Sequence, residues 1–403
     1  MNLCHRCFLK IMTNINLTQL ITAIVVAVGT TLLTAGSTLA VDGAAYSLNK
    51  RRVVNEANNN LVHVFETVAW KPEETAVIVC DVWDYHHSIN AVRRIEEMLP
   101  RMNALLIEAR KRNSIIIHSP SDCMPYYEGH PARKRAIGVA MVALPQGIAS
   151  WCSKIPAEEY ARYPIDQSDG GEDDDPAEHQ QWAEKLKAFG RNPAMPWKAQ
   201  SPAIEIDGTR DYISDRGDEV WNILVDRKIR HVIMVGVHTN MCVLGRPFGL
   251  RQLARQKMDV VLVRDLTDCM YNPNRWPFVD HFTGNDLIVS HVERFVCPTV
   301  TSDQILDGHA LRFRGDTRSK RDLIAANPQP NPNPKAATWS ILNVPKGPES
   351  ESTPTKLMWL RCSIRFPDGT LDQQTTLRAA GPVSGAWLNG KPLSVEKKDA
   401  ALT

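Results

Sequence analysis

From about residue 76 the chain alternates short, wholly apolar runs with longer amphipathic stretches. Residues 76–83, AVIVCDVW, are the first such run and predict a buried strand. Ile89 to Arg112 follows with apolar side chains at Ile89, Val92, Ile95, Leu99, Met102, Leu105, Leu106 and Ala109, the spacing of one helical face. Pro100 within it predicts a kink or a restart. SIIIHS (114–119) predicts a second strand and AIEI (203–206) a third. Residues 217–228 read as a helix, HVIMVGV (231–237) as a strand, and about 242–257 as a helix. DVVLVRD (259–265) and FVCPTVT (295–301) predict the last two strands. Continuous apolar strands alternating with helices imply a mostly parallel sheet buried on both faces. Right-handed crossovers then favour a doubly wound α/β fold.

Two stretches break this rhythm. SDGGEDDDPAEH (168–179), inside residues 150–200, reads as a solvated acidic insertion; its aspartates do not have the spacing of an EF-hand loop. ANPQPNPNP (326–334) reads as a Pro-rich linker. Beyond it lie short strand-like pieces, KLMWLRCSIRF (356–366) and AWLNGKPLSV (386–395), the latter with a hairpin signal at Asn389-Gly390. The tail is short for a core of its own, so docking on the main domain is expected. The expected divisions are a signal peptide (1–40), an N-terminal extension (41–73), the main domain (74–308), a linker (309–335) and a small β-rich tail (336–403).

The N-terminus carries His5, Arg6 and Lys10, then no charge from Met12 to Val41. An apolar centre, Leu20–Val28, leads to Thr38-Leu39-Ala40. A basic start, an apolar run and a small-residue end predict a secretory signal cleaved after Ala40, and hence a periplasmic or secreted protein. The alternative is an uncleaved segment that anchors the chain in a membrane. Cleavage removes Cys4 and Cys7 and leaves seven of the nine cysteines, so at least one thiol has no partner within the chain.

Composition narrows the function classes. Of 403 residues, 43% are hydrophobic and 23% charged, as in an ordinary globular protein. A formal net charge of +2 argues against a dedicated nucleic-acid binder. With one long uncharged run, a multi-span membrane protein is excluded. The expected partner is a small-molecule substrate, and the expected assembly a homo-oligomer.

Three residues stand where chemistry is expected. Cys242 lies between a strand and a helix, at the carboxyl edge of the sheet where open α/β folds bind ligands. A helix N-terminus there lowers a thiol pKa; the alternative is a buried structural cysteine. Asp81 ends the first strand of the sheet, and a buried carboxylate needs partners or a task. It can take a thiol proton and return it to a leaving group, or merely cap the next turn. Lys198, in MPWKAQSPAI, would hold both anions if it stood between them; otherwise it is a surface lysine.

The stretch Gly236-Val237-His238-Thr239-Asn240-Met241-Cys242-Val243 resembles the G-V-x-T-[DN]-x-C-V signature of the isochorismatase-like cysteine hydrolases, which include nicotinamidases. Asp81 at the end of a strand, Lys198 ahead of Ser201, Ala203 and Ile204, and DVVLVRDLTD (259–268) resemble further parts of the pattern over about residues 74–308. The resemblance implies an Asp81–Lys198–Cys242 triad that cleaves a small amide through a thioester. It also implies an oxyanion held by backbone N–H groups near His238 and Cys242, and a cis peptide between Val237 and His238. His238, Thr239, Met241 and Trp83 are the expected pocket residues, and Arg246 and Arg251 could meet an anionic substrate. No cofactor is required. Nicotinamidases add a metal, for which Asp84, His86 and His118 are candidates, with His87, Asp122 and His130 nearby; no triple has the expected spacing. Vinyl-ether hydrolysis of the isochorismatase type, or a non-catalytic binding module attached through the tail, are the alternatives.

Overall fold

A computed structural model describes residues 44–55, 61–322 and 324, together with short strand segments between 377 and 402. The signal segment 1–40 and the Pro-rich stretch 326–334 lie outside the described residues.

The sheet has eight strands: β1 (Tyr46–Asn55), β2 (Leu61–Trp70), β3 (Thr75–Cys80), β4 (Ile115–Ser119), β5 (Tyr212–Ile213), β6 (His231–Val237), β7 (Asp259–Asp268) and β8 (Thr299–Val300). Their order is β2-β1-β8-β7-β6-β3-β4-β5, and the run from β8 to β5 is parallel. The segment expected only as an extension before residue 74 forms an antiparallel hairpin, with Tyr46 opposite Trp70, and continues the sheet beyond β8. The mostly parallel α/β expectation therefore holds, with an antiparallel hairpin at one edge.

The helices are α1 (Ile89–Lys111), α2 (Met124–Tyr127), α3 (Pro131–Ile137), α4 (Pro176–Ala188), α5 (Gly217–Asp226), α6 (Cys242–Gly245), α7 (Leu250–Arg255) and α8 (His281–Phe295). Ser88 caps α1 by accepting from the Ala91 N–H, and the helix runs on through Pro100. Successive β3 side chains point to opposite faces. Val77 and Val79 pack with Met98, Met102 and Leu105 of α1. Ala76, Ile78 and Cys80 pack with Ile223 of α5 and Leu253 of α7. The two cores explain why β3 is apolar from Ala76 to Cys80.

Several expected elements differ. Residues 203–206 are not a strand: Ile204 turns back to Ser201 and only its side chain enters the core, while the outer strand is β5. The helix expected over 242–257 is broken into α6 and α7. Pro247 has no N–H to continue it. The final strand shrinks to Thr299–Val300, because α8 extends to Phe295 and Pro298 interrupts the pairing. The acidic insertion is not merely solvated. It carries α4, and its Asp174 accepts from Ser88 Oγ and from the Ile89 and Asn90 N–H groups at the start of α1. Two short strands, Ala386–Leu388 and Lys391–Leu393, pair antiparallel on either side of the Asn389-Gly390 signal. Six described cysteines are free and buried. Among the described residues, no helix is long and apolar enough to cross a membrane.

Candidate active site

The two central strands β3 and β6 lie side by side and end together, with Cys80 opposite Gly236. A side chain at position 236 would meet the Cys80 carbonyl oxygen at 2.0 Å, so the first glycine of the motif lets the strand ends approach. Asp81 leaves β3 with φ of 49°, a left-handed conformation that aspartate tolerates better than most residues. Its N–H donates to the Ser119 carbonyl at 3.1 Å. The side chain is thereby turned toward the next strand end, fully buried.

β6 ends at Val237, the Val237–His238 peptide is cis, and a turn delivers Cys242 to the start of α6. The Cys242 thiol lies beside the Asp81 carboxylate, close enough for each to act on the other's titration. Asp81 Oδ1 also accepts from the Ser121 N–H at 2.7 Å, and Oδ2 from Arg246 Nε at 3.0 Å. Burial raises the Asp81 pKa, and Arg246 and these hydrogen bonds counter it. The Cys242 thiol is pushed up by burial and then by the Asp81 charge. The lowering expected from a helix N-terminus does not prevail, since α6 is one turn long and a carboxylate touches the thiol.

Lys198 is exposed, and its described partner is through its own N–H, which donates to Asp84 Oδ1 at 3.0 Å. The segment around it runs beside residues 82–84: Asp84 N–H donates to the Ala199 carbonyl at 2.9 Å and Ser201 N–H to the Val82 carbonyl at 2.8 Å. The cation against Asp81 comes instead from Arg246. Arg251 is buried in a bidentate pair with Glu158, so it does not face a substrate.

The expected pocket residues divide. Thr239 is buried, with its hydroxyl on Thr267 and Asn285, and braces the turn from behind. Trp83 donates to the Ser121 carbonyl and stacks on Trp197, ring centroids 4.5 Å apart. His86 stacks on the same Trp197. Met241 is partly buried against the core.

His238 and His86 form a neutral pair whose tautomers follow from their surroundings. The Ser88 N–H donates to His86 Nδ1, so the His86 proton is on Nε2. That nitrogen lies 3.2 Å from His238 Nε2, which must accept, leaving the His238 proton on Nδ1 without a partner among the described residues. Burial holds both neutral, His238 down to about 4, and His238 itself depresses His86 further.

The metal candidates do not converge. Asp84 pairs with Arg191 at 2.9 Å, His86 faces His238, and His118 bonds Gln200 and Asp211. Asp84, His86 and His118 do not fit one ion. Among the described residues, Asp268, Cys269 and His281 lie close together, as do Glu172, Asp174 and His179. In the first group Arg94 and His281 already balance the carboxylate.

The residues missed in the sequence are Arg246 as the partner of Asp81 and the Arg94–Asp268–His281 cluster behind the turn. Four-residue spacing from Cys242 was the available signal for Arg246. Nothing local links Arg94 to Asp268.

No family model and no curated protein matches the chain. Solved structures do. A cysteine hydrolase from Pseudomonas syringae pv. phaseolicola matches at 15% identity over 58% of this chain and 91% of its own, with a TM-score of 0.35. An isochorismatase family protein from Desulfovibrio vulgaris matches at 12% identity over 58% and 97%, with a TM-score of 0.32. A nicotinamidase from Staphylococcus aureus matches at 11% identity over 57% and 98%, with a TM-score of 0.28.

Proposed function

We propose that the protein is an exported cysteine amidohydrolase that cleaves a small amide through a thioester on Cys242. The observation that carries the reading is the contact between the Cys242 thiol and the buried Asp81 carboxylate at the ends of the two central strands. Asp81 takes the proton from Sγ as sulfur bonds to the substrate carbonyl carbon. When the C–N bond breaks, the same proton passes from Asp81 to the departing nitrogen. Water then adds to the thioester, the acid leaves, and the thiol is restored. Backbone N–H groups of the 238–242 turn are the donors for the oxyanion. Stacked Trp83 and Trp197 and the neutral His86–His238 pair flank the same strand ends and favour a small uncharged substrate. No metal is assigned to the reaction.

The test is ammonia release from a panel of small amides, with Cys242→Ala as control. Ammonia released by the unaltered protein and lost in the variant supports the assignment. Equal release by both abolishes it.

A further inference from the structure

Arg246 follows Cys242 by four residues, which puts both side chains on one helical edge facing Asp81. Its backbone N–H still closes the α6 turn onto the Cys242 carbonyl at 3.0 Å, so the two residues move as one unit. Nε donates to Asp81 Oδ2 at 3.0 Å, and Nη2 lies 3.6 Å from Asp122 Oδ2. The guanidinium lies over Trp151, 5.8 Å from the ring centroid. A side chain at Gly245 would strike that ring at 2.3 Å, so the bare glycine permits the roof. The groups facing Arg246 are Asp81, Cys242, Cys80 and Asp122. Lys198, the residue the triad pattern suggests, is exposed and bonds Asp84 through its backbone.

We propose that Arg246, and not Lys198, is the positioning cation of this site, orienting Asp81 toward the thiol and balancing the negative charge that passes between them. The inference rests on the Cys242–Asp81 reading above. A guanidinium does not give up its proton, so Arg246 takes no part in the transfer. The proton shuttles between Cys242 Sγ, Asp81 and the leaving nitrogen only. A lysine in that place could act as a third proton carrier; the arginine makes Asp81 the sole one.

The test combines turnover with the pH dependence of Cys242 alkylation by iodoacetamide, located by mass spectrometry. Arg246→Met is expected to move the alkylation midpoint upward and lower kcat/KM by about 10²-fold. Arg246→Lys should recover part of that loss and add an alkaline fall in turnover near the lysine pKa of about 10. Lys198→Met, on the surface, should change both readouts by less than about threefold, within the range of a lost exposed charge. A shifted midpoint in Lys198→Met, or an unshifted one in Arg246→Met, overturns the inference. If Arg246→Met does not fold, Arg246→Lys decides, and lack of the new alkaline limb overturns it. These results are separable from failure of the parent reading. In that case turnover survives Cys242→Ala whatever stands at position 246.

Discussion

At the scale of single residues, the candidate site is a buried thiol beside a buried carboxylate. Both Asp81 and Cys242 titrate above their ordinary values, because burial disfavours each anion more than Arg246 favours it. Burial thus favours a neutral Cys242 thiol at rest, and in the proposed mechanism its proton moves to Asp81 during attack. Asp81 must be ionised to accept that proton. Activity should then fall on the acid side at a pH above the usual carboxylate range of about 4, which a kcat/KM profile reads directly. Asp81→Asn keeps the shape and removes the acceptor, so turnover should drop by at least about 10²-fold and the acid limb should vanish. An acid limb that persists in Asp81→Asn assigns it to another group. Cys242→Ala removes one small side chain that is 9% exposed; turnover should be abolished while the melting temperature moves by only a few degrees. Survival of most turnover would show that the thiol is not the nucleophile.

At the scale of elements, the acidic insertion is tied into the sheet behind the 238–242 turn. Asp173 takes a bidentate pair from Arg94 of α1, and Arg94 Nε donates to Asp268 at the end of β7 at 2.7 Å. Asp268 also binds His281, the first residue of α8, at 2.8 Å, and its main-chain carbonyl accepts from the Thr239 N–H of the 238–242 turn. Removing the one arginine leaves two buried carboxylates with His281 as their shared cation. Arg94→Met should therefore cost about 3–5 kcal/mol, measured by denaturant unfolding. A cost below about 1 kcal/mol would mean that water replaces the guanidinium. Against the burial penalty, Asp268 and Asp173 raise the His281 pKa to about 9. In the unfolded chain it titrates near 6.5. Its contribution is thus fully present below pH about 6.5 and is lost as pH rises through about 9. Melting temperature should fall across that window, and His281→Gln should flatten the fall. An equal slope in the variant assigns the pH dependence elsewhere.

At the scale of the whole molecule, every residue of the proposed site lies in the turns, loops and short helix that follow the described strands. The hairpin β1–β2 covers the β8 edge, and buried Arg51 on β1 pairs with Glu293 of α8 at 2.7 Å. The first strand of the described sheet begins at Tyr46, after the proposed cleavage site at Ala40. N-terminal sequencing of exported protein should begin at Val41; a retained Met1 would favour the membrane-anchor alternative. The linker sequence ANPQPNPNP predicts few contacts across it. Deleting residues 327–403 should leave a soluble protein with unchanged Cys242 alkylation. Aggregation of that truncation would show that the tail covers apolar surface of the main domain.

The sequence by itself determined the central strands, the order of the chemistry-bearing residues and the motif that ends in Cys242. These features are local: apolar runs such as VIVC and HVIMVGV can only be buried strands, and a thiol after such a run falls at the carboxyl edge of a parallel sheet. The broken helix was also written locally, in Arg246-Pro247-Phe248-Gly249, although the apolar period ran across it. Long-range pairing was not legible. The β1–β2 hairpin joins β8 from the far end of the chain, and Arg94 reaches both Asp173 and Asp268. Nor could composition tell which cation meets Asp81, because Lys198 and Arg246 are equally charged on paper. Only the folded structure decided it: Lys198 is left exposed on the segment beside residues 82–84, while one turn of helix brings Arg246 over the carboxylate. A charge acts over a few ångströms in a buried site, so its place in space, and not its place in the chain, selects the partner.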